Sequence, residues 1–463
     1  MPLSLQWIMM ALEHPFLAAV IARLADPTFN LAAYGVAFAV AILVESPVIM
    51  LMSASTALVE DARSYLKMRA FAWALNLFAT GLLLLVLIPP VYDFLIGTVL
   101  NLPTSVAELV YGSLWILLPW PAAIGYRRFI HGILIRSGRT RRVAYGTALR
   151  LGTMAVTGLL LAMLDLPGAW VGAGALCAGV VIEALAAYFM SRDVLRVVVD
   201  HDRDPSILQG RSTSITELPP RTIRDGEGAV RARQAAGPQE PEPEAEPQGE
   251  SPAADLDFRG IASFYYPLAL TSFISLTSQP LLTFFMGRAP APVESLAVFP
   301  VVMALYFLFA TFGLSYQEAA IALVGRRGEH RGPMGRFAVG LAVAASGGLA
   351  ILAFTPLARV WFEGISGLSP ELALLAFAPA QIIALGPALS VLTGFQRALL
   401  VQARRTRPIT VATILEVLVI ASLFPLLAWG LGWMGVTAAM GALVVGRLTG
   451  VLFLVGRVRR VYE

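Results

Sequence analysis

The sequence is poor in the residues that most soluble chemistry uses. Of its 463 residues one is cysteine, four are histidine, and only 14% are charged. Cys177 sits in the apolar, small-residue run AGALCAGVV; it can form no internal disulfide, and packing is its expected role. His14, His131, His201 and His330 are scattered and offer no metal-ligand spacing. No glycine-rich loop runs into Lys and then Ser or Thr, so a phosphate cradle and ATP hydrolysis by this chain are excluded. No activated nucleophile is recognisable, and an enzyme is not expected. Lys67 is the sole lysine, and the arginines behind the net charge of +4 cluster at the ends of apolar runs. That distribution belongs to membrane topology rather than to nucleic-acid binding.

What the chain has is apolar length. Hydrophobic residues make up 57% of it, and the mean hydropathy is +0.73. Apolar runs recur about every 30 residues, each long enough for a hydrocarbon core that needs roughly 20 helical residues. The expected spans are 2–24, 31–57, 69–92, 105–134, 142–164 and 168–191, then 261–288, 294–323, 335–358, 370–402, 408–430 and 434–456. The first run lacks a basic leader and a small-residue cleavage motif, so it reads as a retained helix.

Basic residues set the expected orientation. They crowd the turns after the second, fourth, eighth and tenth spans: Arg63, Lys67 and Arg69; Arg136, Arg139, Arg141 and Arg142; Arg326, Arg327 and Arg331; Arg404, Arg405 and Arg407. Arg457, Arg459 and Arg460 add a basic tail, whereas Arg23, Arg288 and Arg359 stand alone after odd-numbered spans. By the positive-inside rule both termini are expected in the cytoplasm, in a multi-pass protein of the cytoplasmic membrane with an even number of crossings. Between the halves, residues 201–257 turn to Pro, Gly and charge, as in GPQEPEPEAEPQGESPAAD, and are expected to be a disordered cytoplasmic linker.

The two halves repeat. PLSLQWIMMALEHPFLAAVIAR from residue 2 aligns without a gap on PLALTSFISLTSQPLLTFFMGR from residue 267, pairing Pro2 with Pro267, Pro15 with Pro280 and Arg23 with Arg288 at a shift of 265 (280 − 15). Pro90 meets Pro356, Pro121 meets Pro387, Phe129 meets Phe395, and Arg139, Thr140 and Arg141 meet Arg405, Thr406 and Arg407 at a shift of 266 (356 − 90). Six crossings per copy make the repeats parallel. The fold class expected is therefore all-α and polytopic, with twelve transmembrane helices in two parallel six-helix lobes, 1–200 and 258–463. Parallel repeats of this kind build transporters with a substrate path between the lobes, opened by rocking one lobe against the other.

Twelve helices in two parallel sets of six resemble the multidrug/oligosaccharidyl-lipid/polysaccharide exporter superfamily, which includes the multidrug and toxin extrusion (MATE) proteins. RSGRTRR and QARRTRP, between the fourth and fifth helices of each half, resemble that superfamily's repeated cytoplasmic turn. YGVAFAVAILVESPVIML (34–51), with Pro47, and FYYPLALTSFISLTSQPLLTFFMGR (264–288), with Pro267 and Pro280, are similar to the progressive ankylosis protein family. The superfamily resemblance covers both lobes, the narrower one these two stretches, and the long linker departs from it. The resemblance implies export by alternating access and, in the narrower family, export of anions such as pyrophosphate, nucleotides or citrate.

Charges inside the spans each require a reading, because an ionisable side chain near the bilayer centre costs at least a few kcal/mol unless paired or hydrated. Arg150 and Glu183 lie at matching depth on the fifth and sixth helices, and Glu416 with Arg447 occupy the equivalent positions with signs exchanged. They are expected to form one structural ion pair per lobe. Glu13, His14 and Glu45 lack an obvious partner, and at their repeat positions stand Ser278, Gln279 and Ala310. Glu13 and Glu45 are expected to face a cavity and take up H+ or Na+ in exchange for substrate, with His14 a second proton site. The bland alternative has Glu13 hydrogen-bonded to Ser46 or a neighbouring helix. Pro15 and Pro280 are expected to break the backbone hydrogen bonding of their helices, which is tolerated where the backbone is covered by protein or faces a wet cavity.

Arg127, Arg128 and His131 on the fourth helix, and Arg397 on the tenth, either anchor helix ends at headgroups or form a funnel through which an anion enters. Gln279, and near the eighth helix's cytoplasmic end Tyr316, Gln317 and Glu318, are further candidates to line the cavity. The reading that results is a monomeric secondary exporter of a small organic solute, a drug-like cation or an organic anion, with the bilayer as its other partner and no cofactor beyond the coupling ion. A lipid-linked precursor flippase and a non-transporting membrane scaffold are the alternatives.

Overall fold

In the computed structural model, residues 2–200, 257–324, 329–403 and 405–462 are described, and every regular element among them is helical. The expected linker falls almost wholly outside them. Only its last residue, Asp257, is seen, its carboxylate accepting from Phe258 N at 2.7 Å to start the second half.

The first half runs α1 (Pro2–Ile21), α2 (Pro27–Glu45), α3 (Leu51–Leu58), α4 (Ala62–Leu87), α5 (Pro89–Tyr92), a π-helical turn (Asp93–Val99), α6 (Thr104–Ile116), α7 (Trp120–Arg136), α8 (Thr140–Ala162) and α9 (Gly168–Asp200). The second runs α10 (Phe258–Leu276), α11 (Ser278–Met286), α12 (Pro292–Leu323), α13 (Arg331–Phe354), α14 (Leu357–Arg359), a π-helical turn (Val360–Ile365), α15 (Pro370–Ile383), α16 (Gly386–Gln402), α17 (Arg407–Pro425), a third π-helical turn (Leu426–Gly430) and α18 (Gly435–Tyr462). Among the described residues ten spans are long and apolar enough to cross a membrane, α6 with α7 adds an eleventh bent by 42°, and α1 contributes a shorter apolar stretch, Gln6–Ile21. The chain is a multi-pass membrane protein.

Local chemistry sets the boundaries. Asp61 and Ser64 form a capping box, Ser64 N reaching Asp61 Oδ1 at 2.7 Å and Ser64 Oγ accepting from Asp61 N at 3.0 Å. The third span therefore starts at Ala62, earlier than its apolar run, and Arg63, Lys67 and Arg69 lie on its first turns rather than in a loop. Pro47 falls in the turn that separates α2 from α3, so Glu45 closes α2 instead of sitting mid-helix. Pro15, by contrast, lies inside an unbroken α1, while the helix carrying Pro280 is interrupted at Thr277.

The repeat is written in the backbone. Asp26 (φ 47°) and Ala291 (φ 51°), each left-handed just before a helix-starting proline, are 265 apart (291 − 26). Asn101 (φ 54°) and Gly367 (φ 73°) are 266 apart (367 − 101), and Asp165 (φ 50°) and Gly432 (φ 68°) are 267 apart (432 − 165). Left-handed backbone is uncommon outside glycine, so three such pairs at nearly one spacing mark equivalent turns. In the first half α8 and α9 lie along each other and α7 packs on α3 and α9; in the second, α17 and α18 lie together and α16 packs on α13 and α18. Across the halves, α12 packs against both α1 and α2. That contact leaves a cavity of about 510 Å³, lined from both halves.

Candidate functional site

The cavity draws Glu13 and His14 from α1, Glu45 from the end of α2, Arg127 and Arg128 from α7, and Arg150 from α8. The second half supplies Gln279 from α11, Gln317 from α12, Arg397 from α16, Glu416 from α17 and Arg447 from α18. Its size falls within the range of small-molecule pockets, roughly 300–1,000 Å³.

In the first half the charges form a buried network, larger than the pair read from the sequence. Arg150 Nε lies 3.4 Å from Glu183 Oε2, and Arg150 Nη2 donates to Glu13 Oε1. Arg127 Nη1 is 3.0 Å from the same Glu183 oxygen, and Thr147 Oγ1 donates to Glu183 Oε1 at 3.2 Å. Glu13 thus has a partner on a neighbouring helix, as the alternative reading had it, because α1 packs directly on α8. Ser46 is not that partner; its hydroxyl donates to Leu43 O at 2.7 Å. Removing Arg150 or Glu183 strands a buried charge, which makes the network cohesive.

The second half carries a sparser version. Arg447 Nε lies 3.4 Å from Glu416 Oε1, Arg447 donates to the Tyr306 hydroxyl, and its guanidinium sits 5.0 Å from the centre of the Tyr306 ring. These side chains are about a quarter exposed, against 4% for Arg150 and 0% for Glu183. Both members of the second pair line the cavity, whereas in the first half Arg150 lines it and Glu183 lies behind.

Two arginines remain. Among the described residues no carboxylate oxygen comes within 4.0 Å of Arg128 or Arg397. Arg397 Nη2 has a weak contact at 3.5 Å to Thr413 Oγ1, and the Nε of each arginine is buried without a hydrogen-bond partner. Neighbours on a helix point about 100° apart; both arginines reach the cavity wall, but Arg127 is drawn to Glu183 while Arg128 is left unpaired. His131, four residues after Arg127, shares its face; the ring is buried and does not line the cavity, so a funnel role is not what its position offers.

The remaining candidates separate by position. His14 borders the cavity with its ring edge-on to Phe38, 4.9 Å between centres. Gln279 lines it with Oε1 unbonded. Glu45 lines it too, buried, with Oε2 lacking a hydrogen-bond partner among the described residues. Glu318 does not: it is exposed and accepts from Trp7 Nε1 at 2.8 Å, tying α12 to α1. Tyr316 is likewise turned away, donating to Met334 O at 2.7 Å. Sequence reasoning missed two ion pairs, Arg127 with Glu183 and Glu13 with Arg150, and no spacing along the chain signalled either.

No family model and no curated protein matches the sequence. Solved structures match along nearly all of it. A multidrug resistance MATE family transporter of the MOP superfamily, in an inward-facing conformation, aligns with a TM-score of 0.63 and 13% identity, covering 98% of this chain and 95% of that one. The lipid II flippase MurJ, in an inward closed conformation, aligns at 0.65 and 13%, covering 98% and 87%. The MATE multidrug transporter DinF-BH, solved as a complex with a ligand, aligns at 0.63 and 13%, covering 100% and 94%. The chain has the all-α polytopic membrane fold that MATE transporters and MurJ share.

Proposed function

We propose that the chain is a secondary transporter that exports an organic anion from the cytoplasm by alternating access. The observation that carries this reading is the pair of cavity arginines, Arg128 and Arg397, one from each half and both without a carboxylate partner among the described residues. The fold neighbours include a multidrug transporter solved with a ligand and a lipid II flippase, which supports solute or lipid movement over a purely structural role. Five arginines border or back the cavity against four glutamates, Glu183 included. Glu13 and Glu183 are bonded to Arg150 and Arg127, and Glu416 to Arg447, so a cationic drug would meet few free acids. An anion would meet two open guanidinium forks, which suit carboxylate and phosphate oxygens.

In this proposal residues 1–200 and 258–463 are the two lobes, joined by a cytoplasmic linker, and the basic turns face the cytoplasm of a multi-pass protein in the cytoplasmic membrane. The cavity then opens on the cytoplasmic half of the helices. Outward movement of an anion is favoured by a membrane potential negative inside, by about 2.3 kcal/mol per charge per 100 mV. Glu45, the acid with a free oxygen, is the group left to take H+ or Na+ during the cycle. The chain acts as a monomer and catalyses no covalent chemistry.

Transport in proteoliposomes tests this. Labelled citrate or pyrophosphate is expected to cross, and to respond to an imposed potential, while a cationic dye is not. Dye movement without anion movement would reverse the assignment of charge.

A further inference from the structure

Two arginines far from the cavity form contacts that repeat across the molecule. Arg23, just beyond α1, directs Nη2 to the carbonyls of Gly364 (2.6 Å) and Ile365 (3.0 Å) in the opposite half, while Nη1 donates to Ala19 O at 2.7 Å. Arg288, just beyond α11, directs Nη2 to Thr98 O at 2.8 Å and Nη1 to Val99 O in the first half. Donors and acceptors correspond at the repeat spacing (288 − 23; 364 − 98; 365 − 99). Each half gives one guanidinium and receives one, as in an isologous interface.

The acceptors end π-helical turns, where carbonyls lack a continuing backbone donor. In the first half the next amides fold back past them, Leu100 N to Leu95 O at 2.8 Å and Leu102 N to Ile96 O at 3.3 Å. In the second, Ser366 N reaches Trp361 O at 2.7 Å and Leu368 N reaches Phe362 O at 2.9 Å. Thr98, Val99, Gly364 and Ile365 thus present open carbonyls at negative helix ends, which favour a cation. Glycine clears the space on both sides. A Cβ on Gly367, already at φ 73°, would stand 2.7 Å from Arg23 Nη1, and one on Gly287 would stand 2.4 Å from Leu100 O. Trp429 Nε1 donates to Arg288 O at 3.1 Å and steadies the second arginine.

These contacts lie at the ends of the helices opposite the basic turns, beyond the cavity, and neither arginine lines it. We infer that Arg23 and Arg288 are the paired latches of an outer gate: closed here, they hold the halves together on the side away from the basic turns, and both must release for the cavity to open there. The inference rests on the alternating-access reading but not on the cargo. Backbone acceptors make the latch independent of side-chain identity on the partner turn, and release exposes the carbonyls to water, where they are resolvated.

The test uses the full chain in intact cells with the single native cysteine removed (Cys177→Ala) and a reporter placed in the cavity wall (Ser278→Cys). An impermeant maleimide is added from the latch side. Labelling is expected to rise about tenfold on Arg23→Ala or Arg288→Ala, and further in the double variant, the effect of losing charge-assisted contacts. Unchanged labelling in a double variant that still reaches the membrane overturns the inference. A tethered variant decides the case if the alanine variants fail to fold: Thr98→Cys with Arg288→Cys, in the same cysteine-free background without the reporter, is joined by a short bis-methanethiosulfonate cross-linker, which forms a reducible disulfide with each thiol and releases methanesulfinate. Transport is expected to stop on linking and return on reduction. Transport that continues in fully linked protein overturns the latch, and because labelling needs no cargo, a wrong substrate assignment leaves the first result standing.

Discussion

Arg150 holds Glu13 on the first helix, 137 residues away in sequence, while its Nε stays 3.4 Å from Glu183. The two bonds are unequal in consequence. Glu183 has Arg127 as a second partner at 3.0 Å, whereas Glu13 has only Arg150 among the described residues.

Removal of either end of the Arg150–Glu13 pair should therefore differ in cost. Glu13→Gln leaves Arg150 still paired with Glu183, and only a small loss of thermal stability is expected. Arg150→Met strands the Glu13 carboxylate in a buried site, for which about 3–5 kcal/mol is typical. The double variant Glu13→Gln/Arg150→Met should recover part of that loss. Apparent melting temperatures of the detergent-purified variants check the order, and a double variant no better than Arg150→Met would show that Glu13 is not the stranded group.

Glu45 invites the opposite result. Its Oε2 is buried with no hydrogen-bond partner among the described residues, and the attraction of the nearby Arg128 offsets only part of what burial costs the carboxylate, a cost that an amide largely escapes. Glu45→Gln is expected to leave the melting temperature unchanged or raised, yet to abolish any response of transport to an imposed pH or Na+ gradient. If flux keeps its full gradient response in the variant, the coupling ion binds elsewhere.

The sequence made the architecture legible because membrane spans and repeats are carried by local signals. Apolar runs of helical length located the spans, and Pro15, Pro280, Arg23 and Arg288 aligned the halves residue by residue. Boundaries shifted where a cap overruled hydropathy, as Asp61 and Ser64 did for α4. Partners were harder. Arg150 and Glu183 were legible because adjacent helices in sequence met at equal depth, but Glu13 reached Arg150 through packing of α1 on α8, which no spacing announces. Arg127 and Arg128 looked alike as neighbours and separated only once one face of α7 was seen to be buried.

Close helix packing beside the cavity gives a signed pair of predictions. A Cβ on Gly394 of α16 would lie 2.8 Å from Gly313 O, and one on Gly313 of α12 would lie 2.7 Å from Val391 N, so these helices touch backbone to backbone. Gly313→Ala is expected to destabilise by about 1–3 kcal/mol. Gly340, in α13, is exposed with nothing within 4 Å of its would-be Cβ. Gly340→Ala should stabilise by roughly 0.5–1 kcal/mol through reduced chain entropy. Melting temperatures moving in the same direction for both would refute the packing argument.

Arg128 and Arg397 bear most directly on the charge of the cargo. If both bind it, each supplies charge-assisted hydrogen bonds worth about 1.5–3 kcal/mol, so Arg128→Gln or Arg397→Gln should raise the KM for an anion roughly 10- to 100-fold. Neither holds an ion pair that folding depends on, and the melting temperature should stay near that of the unaltered protein. Arg→Lys at either site keeps the charge but loses the planar fork, so an intermediate KM is expected. Flux assays over a range of anion concentrations, run beside the melts, separate the outcomes. A KM unchanged in both Gln variants would mean that the guanidiniums serve the bilayer or the fold, and would leave the cavity without its anion site.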